Sequence, residues 1–359
     1  MKNILLSSVA LVAFAGAAAA DVSWSGAATL GYNDDLEDGV YADVDIDVSL
    51  SQELNNGWTA AAKFGFELVD NGDGTPASNG FQADNNILIS LTNDMYGLYF
   101  GDTEFAAVSY FSGVTNMQND NFSEEDGEDV LKVTATYGMI SGGLSYAYLT
   151  DVPAGAGTND ELQQLSVGVS AEFSGVTVTA AYQDEVEDAT IRTAFETANG
   201  DFVGSEVFGL SVSTSFSGAD ITLAYASDKG TDESSTGIEV SYPMGAVTLG
   251  AFYVSETGSI DDNYGATVAY SEGDLSVKAW IHDGTDEDYG VNIAYAMGDW
   301  GLYVGGSDDD GAYVAGELDL GGGASFTVSY ADDEDSATND EIGPQEYLSG
   351  TTLAVSFSF

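Results

Sequence analysis

The chain of 359 residues contains no cysteine, only four prolines, one histidine and six lysines and arginines. Without cysteine it has neither disulfide staples nor thiol chemistry, so a large regular scaffold must hold it together. The shortage of base against 60 aspartates and glutamates leaves a formal net charge of −54, which repels polyphosphate and excludes nucleic acid as a partner. Beyond residue 20 there is no run of about 18 apolar residues, so no helix is written to span a bilayer. The single histidine, His282 beside Asp283 at a strand end, is too little to activate a nucleophile. A barrel enzyme such as an outer-membrane phospholipase is therefore disfavoured, and His282 reads as a solvated strand-end residue.

What the chain does have begins with an export signal. Met1-Lys2-Asn3 is a short basic region, Ile4 to Ala15 is apolar, and Ala18-Ala19-Ala20 fits a small-residue cleavage site. Residues 1–20 are thus expected to be removed, leaving 21–359 as one domain. Lys2 goes with them, so five of the six basic residues remain against all 60 acids. Twenty tyrosines and 17 phenylalanines are too many for a disordered acidic chain, and 44 glycines suit strands and tight turns.

From residue 21 onward one unit repeats: strand, tight turn, strand, acidic loop. The turns read as Asn55-Asn56-Gly57, Asn93-Asp94-Met95-Tyr96, Met139-Ile140-Ser141-Gly142, Ser174-Gly175 and Ser217-Gly218. They continue as Met244-Gly245, Glu272-Gly273-Asp274, Gly298-Asp299 and Gly321-Gly322-Gly323. The alternating segments between them run about 9 to 12 residues, the length a tilted strand needs to cross a bilayer. The remaining connections are longer and acidic, such as Asp308-Asp309-Asp310 and Asp332-Asp333-Glu334-Asp335. Short turns at one rim and longer loops at the other describe a transmembrane antiparallel up-and-down β-barrel. Nine turns with a first and a last strand allow up to 20 strands. The closing segment, Leu353-Ala-Val355-Ser-Phe357-Ser-Phe359, alternates strictly and stops on an aromatic, showing Leu353, Val355, Phe357 and Phe359 to lipid.

Strand faces follow from the same period of two. Between Val40 and Leu50, Tyr41, Asp43, Asp45, Asp47 and Ser49 share one face, opposite a wholly apolar set. Burying three aspartates in a dry core would cost several kcal/mol each, so that face is wet and lines a lumen. Lys63 falls with Gly65 and Glu67, Lys132 with Thr134 and Thr136, and Lys278 with Ser276, each opposite apolar neighbours. A strand lysine on the lipid side would cost about 2–4 kcal/mol at the midplane, so all three are placed inward. Arg192 and Lys229 fall in loops, and Ile191–Ala198 is the best helix candidate, about two turns long.

The connection Asp102 to Asp129, between the fifth and sixth strands, is one of the two longest. A loop of that length in a compact domain is usually functional or disordered. It opens apolar and aromatic, so part of it should pack on something, and it closes in a cluster of acids.

The signal peptide, the strand Asp21-Val-Ser-Trp-Ser-Gly26, the strand Tyr96-Gly-Leu-Tyr-Phe-Gly-Asp102, the turn Asp319-Leu-Gly-Gly-Gly-Ala-Ser325 and the terminal Phe359 together resemble the general-diffusion porins of alphaproteobacteria. The resemblance covers essentially the whole chain. It implies 16 strands, a homotrimer in outer-membrane lipid and lipopolysaccharide, and recognition of the Phe359 strand by the barrel-assembly machinery. It also implies that the loop after the fifth strand folds inward and sets carboxylates opposite wall bases. On that pattern Glu104, Asp120, Glu124, Glu125, Asp126, Glu128 and Asp129 would form the acidic side of the constriction, and Lys63 and Lys132 the basic side. Asp43, Asp45, Asp47, Glu67 and Lys278 would line the wall. One departure stands out: the family's arginine cluster is missing, since the only mature arginine lies in a loop.

These features point to passive diffusion of small hydrophilic solutes through an acidic, cation-preferring channel that needs no cofactor. The rival is a secreted acidic adhesin or calcium-binding β protein, but the glycine-rich nonapeptide array it would want is absent. Asp43-x-Asp45-x-Asp47 looks like the start of a calcium loop, yet it lacks the following glycine and sits in a strand. Carboxylate clusters in the acidic loops could still hold Ca²⁺ or Mg²⁺. Extreme acidity also fits a saline habitat, where it serves solubility and not selectivity. Asn121-Phe122-Ser123 matches a glycosylation sequon by chance.

Overall fold

The computed structural model describes residues 21–36, 39–70, 82–83, 86–124, 129–148, 162–198, 202–285, 287–309, 311–332 and 341–359. Alternation of apolar and polar side chains is realised as one antiparallel sheet closed on itself. Its first strands are β1 (Asp21–Asn33), β2 (Val40–Glu53), β3 (Thr59–Asp70), β4 (Leu88–Thr92, prolonged by Gln82–Ala83), β5 (Tyr96–Gly101), β6 (Asp129–Tyr137) and β7 (Ile140–Tyr148). Next come β8 (Leu162–Phe173), β9 (Val176–Gln183), β10 (Val207–Phe216), β11 (Ala219–Asp228), β12 (Glu233–Met244), β13 (Val247–Glu256) and β14 (Asn263–Glu272). The last are β15 (Leu275–Asp283), β16 (Asp288–Met297), β17 (Trp300–Ser307), β18 (Gly311–Gly321), β19 (Ala324–Asp332) and β20 (Gly350–Ser358). Each pairs with its neighbours, and β1 closes the ring on β20 from Ala27↔Ser358 to Asn33↔Thr352. Twenty strands correct the expectation of 16 drawn from the resemblance; the turn series had allowed that number.

The nine tight connections all lie at one rim. Ser174-Gly175 and Ser217-Gly218 have positive φ at both positions (53° and 81°, 55° and 86°), the twist a two-residue hairpin demands. One turn sits differently from its expected place. Gly138-Met139, with Gly138 at φ 62°, turns the chain, so Ile140 and Ser141 already belong to β7. Connections at the other rim are longer on average, although 229–232, 284–287 and 308–310 are themselves short. Of the acidic loops, Asp310 and Asp333–Asp335 lie outside the described residues, as does the whole of 1–20.

The outer face is apolar and banded. Leu30, Ile89, Leu98, Val133, Leu144, Leu210, Leu223, Ile238, Val268, Val291 and Val304 are exposed around its middle. Tyr32, Phe208, Tyr225, Tyr253, Tyr264, Tyr289 and Tyr330 ring the long-loop end. Trp24, Tyr96, Tyr137, Phe173, Phe216, Tyr242 and Tyr295 ring the other. Two aromatic girdles about an aliphatic band match a lipid-facing surface about 25 Å tall. The terminal residue completes this face: Phe359 exchanges backbone hydrogen bonds with Gly26 (2.9 and 3.1 Å) and is 68% exposed.

Three long-loop connections bend onto the inner face. The first carries α1 (Ala106–Tyr110) between β5 and β6. The second carries α2 (Ala189–Ala198) between β9 and β10; it starts two residues before the expected helix because the Asp188 carboxylate accepts the backbone N–H of Thr190 (2.8 Å) and Ile191 (3.3 Å). Ile191 and Phe195 of α2 pack with Phe202, Val186, Val130 and Ala147 over Phe105, where the first loop leaves the wall. The third is a small hairpin, Glu341–Ile342 with Tyr347–Leu348, whose Ile342 and Tyr347 are buried against Tyr313, Ala315 and Ala331 of β18 and β19.

Candidate functional site

The loop after β5 lies against the inner wall because the wall has been cleared for it. Inward positions on successive strands are small: Gly143 on β7, Gly168 on β8, Ala181 on β9, Gly209 on β10, Ala224 on β11 and Gly237 on β12. Register joins them directly at Gly143↔Gly168, Gly168↔Ala181, Ala181↔Gly209 and Ala224↔Gly237. Side chains would collide there. A Cβ at Gly143 would meet the Tyr110 ring at 3.0 Å, at Gly209 the Phe111 ring at 2.6 Å, and at Gly237 the Val114 side chain at 2.8 Å. At Gly168 it would overlap the Ala106 carbonyl oxygen.

Polar groups flank this glycine seam and satisfy the loop backbone, as buried amides require. Ala106 and Ala107 donate their N–H groups to the Ser145 and Ser166 hydroxyls, both at 2.8 Å. Further on, Thr115 donates to Glu239 (3.1 and 3.0 Å). Gln118 N–H, the Asn119 amide and the Ser235 hydroxyl all donate to the Glu256 carboxylate at 3.1, 2.9 and 2.6 Å. Ser123 ends the run, donating its N–H to Gln183 (2.7 Å) and its hydroxyl to Gln164 (2.8 Å). Asn263 of β14 donates to the Asn116 carbonyl at 3.0 Å. The loop thus crosses the inner wall from β7 to β14.

The sequence-nominated residues fall into distinct places. On β2 and β3 the pairs Asp45↔Glu67, Asp47↔Gly65 and Ser49↔Lys63 share one face, and Asp43 belongs to it by alternation. This face is opposite the exposed Trp24 and Leu30 set, so it points inward. Lys278 is inward on β15, facing Asn292 of β16. Lys132 is inward on β6 but covered by the loop's own root: its ammonium donates to the Ser109 hydroxyl (3.3 Å), which donates to the exposed Glu104 (3.2 Å). Glu104 and Lys132 are therefore neighbours on one wall, and the expected opposition of acid and base across the lumen does not hold for this pair. Asp129 is also displaced from its expected role. It is the first residue of β6, in the outward register of Leu131 and opposite Tyr148. Glu124 is exposed at the end of the docked run, while Glu125, Asp126 and Glu128 lie outside the described residues. Arg192 sits on α2, paired with Glu185 at 2.8 Å. Among the described residues no group of three or more histidines, aspartates or glutamates could hold a metal ion.

Asp120 is half-buried beside Gly113. Burial pushes its carboxyl from the usual 3.8 up to about 6, its backbone hydrogen bond opposes this, and the nearby Glu256 carboxylate adds to the rise. A carboxyl raised in the folded state contributes stability that is present below about pH 4 and is lost as pH climbs through about 6. The docked loop should therefore hold more tightly at pH 5 than at pH 7. Amide exchange at residues 114–120, corrected for its intrinsic pH dependence, is expected to be slower at pH 5, and Asp120→Asn to flatten the difference. Equal protection at both pH values in the unsubstituted protein would contradict this.

Comparison with known proteins sets this geometry in a family. A family model described as Gram-negative porin matches residues 7–338. The chain belongs to the Gram-negative porin family. The protein is thus an outer-membrane β-barrel channel and not an enzyme. Solved structures of the Rhodopseudomonas blastica porin are similar to this porin. A triple mutant aligns at 16% identity and a TM-score of 0.44, covering 94% of this chain and 100% of that one. A second mutant aligns at 17% identity and 0.44 with the same coverage. No curated protein matches the sequence. What the porin has that sequence reasoning missed is the glycine seam, the Glu256 latch and the hairpin at Glu341–Leu348. Glycines recurring on the inward parity of adjacent strands were the available signal.

Proposed function

We propose that this porin passes small hydrophilic solutes by diffusion and prefers cations. The supporting observation is the inward face of β2 and β3, where Asp43, Asp45, Asp47 and Glu67 share one face with a single lysine, Lys63. A barrel of 16 or more strands leaves an aqueous channel. At physiological salt the Debye length is about 8 Å, so charges on the wall act well into such a lumen, and rings of carboxylate favour cations. The 102–124 segment narrows that lumen, and Glu104, Asp120 and Glu124 add to its negative charge. Lys132, covered by the loop, contributes less to the open path than Lys63 or Lys278. Potassium and chloride held unequally across a planar bilayer test the reading: the reversal potential is expected to take the sign set by potassium.

The same reading places the protein, exported by its N-terminal signal, as a homotrimer in outer-membrane lipid and lipopolysaccharide, with the Phe359 strand read by the barrel-assembly machinery. Electrophoresis of unheated and heated detergent extracts reads both claims. Unheated samples should migrate as a trimer, and deletion of Phe359 should cut the heat-modifiable fraction several-fold. A monomer band, or undiminished assembly without Phe359, would refute the respective claim.

A further inference from the structure

Among the described residues the inner wall between the docked loop and the Glu341–Leu348 hairpin is left uncovered, and it holds a recess of about 290 Å³. We propose that this recess is a docking subsite for a solute carrying one carboxylate on a compact hydroxylated ring, a sugar acid in its simplest form. The proposal rests on the porin lumen being the path of small solutes.

Lys278, Trp280, Asn292, Tyr313 and Pro344 shape the recess. Trp280 is fixed in place. Its indole N–H donates to the Asp288 carboxylate, and its ring lies over Gly290, where a Cβ would meet the six-membered ring at 2.6 Å. Tyr313 is fixed as well: its hydroxyl donates to the Asn292 side-chain carbonyl at 3.0 Å, and its ring packs against Tyr347 with centroids 5.3 Å apart. Gly305 makes room for that bond, since a Cβ there would sit 2.6 Å from the Tyr313 hydroxyl. Glycines at two inward positions therefore let two aromatic side chains lie along the wall, which gives a pre-ordered surface and lowers the cost of binding.

The charge at this place is unlike the rest of the lumen. Lys278 holds its ammonium 5.5 Å from the centre of the Trp280 ring, and among the described residues no carboxylate pairs with it. In a chain with 60 acids, an ammonium with no counter-ion among the described residues, beside an aromatic face, is the natural seat for a guest's carboxylate. The apolar face of a sugar ring can lie against the indole, and the Asn292 amide hydrogens can meet a ring hydroxyl, its carbonyl being already engaged. A neutral sugar lacks the ion pair, and a polyanion is repelled by the acidic wall.

The test is a fluorescence titration of the detergent-solubilised full-length protein with glucuronate and, separately, glucose. Trp280 is inward, whereas Trp24 and Trp300 take outward positions in their strands and Trp58 lies in a turn, so a lumenal guest perturbs mainly Trp280. A saturable change with glucuronate is expected, at least tenfold weaker in Lys278→Gln, restored in Lys278→Arg, and absent or tenfold weaker with glucose. No saturable change, or equal affinity in Lys278→Gln, overturns the subsite. Binding in detergent does not depend on conduction. Conductance in planar bilayers, measured on the same preparation, therefore separates failure of the subsite from failure of the pore reading.

Discussion

Replacing Gly168 with leucine is expected to lift the 102–124 loop from the wall while leaving the barrel closed. The new side chain would begin where the Ala106 carbonyl oxygen and, at 2.8 Å, the Tyr110 Cβ now lie. Both are fixed by α1, so no flexible side-chain tip can give way. Overpacking of a fitted contact typically costs about 1–3 kcal/mol, and here it falls on the first turn of the docked segment. That turn also holds the bonds from Ala106 and Ala107 to Ser145 and Ser166. The β8 ladder to β7 and β9 uses backbone groups and needs nothing from the loop. Exchange of the Ala106 and Ala107 amides should therefore accelerate about ten- to a hundredfold, with strand amides of β8 unchanged. Unaltered exchange at Ala106 would mean the loop is not seated on Gly168.

Glu256→Ala should act at the other end of the loop and with a larger effect. Glu256 is 9% exposed and accepts three hydrogen bonds, from Gln118, Asn119 and Ser235. Removing it leaves the 2% exposed Asn119 and the fully buried Ser235 without their charged acceptor. A hydrogen bond to a charged acceptor is worth about 1.5–3 kcal/mol, so losing the acceptor of three costs more than a hundredfold in the docking equilibrium. The Gln118 and Asn119 amides should lose protection by that factor. Glu256→Gln, which keeps an oxygen acceptor, should lose much less. Equal losses in the two variants would show that bulk, and not hydrogen bonding, holds the loop.

Much of the architecture was legible because a barrel repeats a simple rule. Period-two alternation put Asp43, Asp45 and Asp47 opposite a row of aliphatics, and the register of β2 on β1 keeps them there. Glycine-bearing turns marked nearly every hairpin. The turn after β6 was misplaced because Gly142 competes with Gly138, and only the latter needs positive φ. Asp129 was misassigned for a related reason: an acid at a strand's rim reads as loop until pairing with Tyr148 is known. The docking of the long loop was harder to see. Its seat consists of residues with no side chain, each of which alone looks like a weak strand position. They form a seam only once neighbouring strands are aligned, and that alignment is a long-range property. The covered position of Lys132 follows from the same docking, so the family pattern of facing charges could not be adjusted from sequence.

On the function proposed for this porin, inward carboxylates, more than size alone, decide what crosses the lumen. Reversal potentials across a planar bilayer, taken with a fixed KCl ratio at several total concentrations, address it directly. Potassium permeability is expected to exceed that of chloride. The ratio should shrink toward the bulk value as salt shortens the Debye length from about 10 Å at 0.1 M to about 3 Å at 1 M. A ratio that favours chloride, or one that does not change with salt, would contradict it.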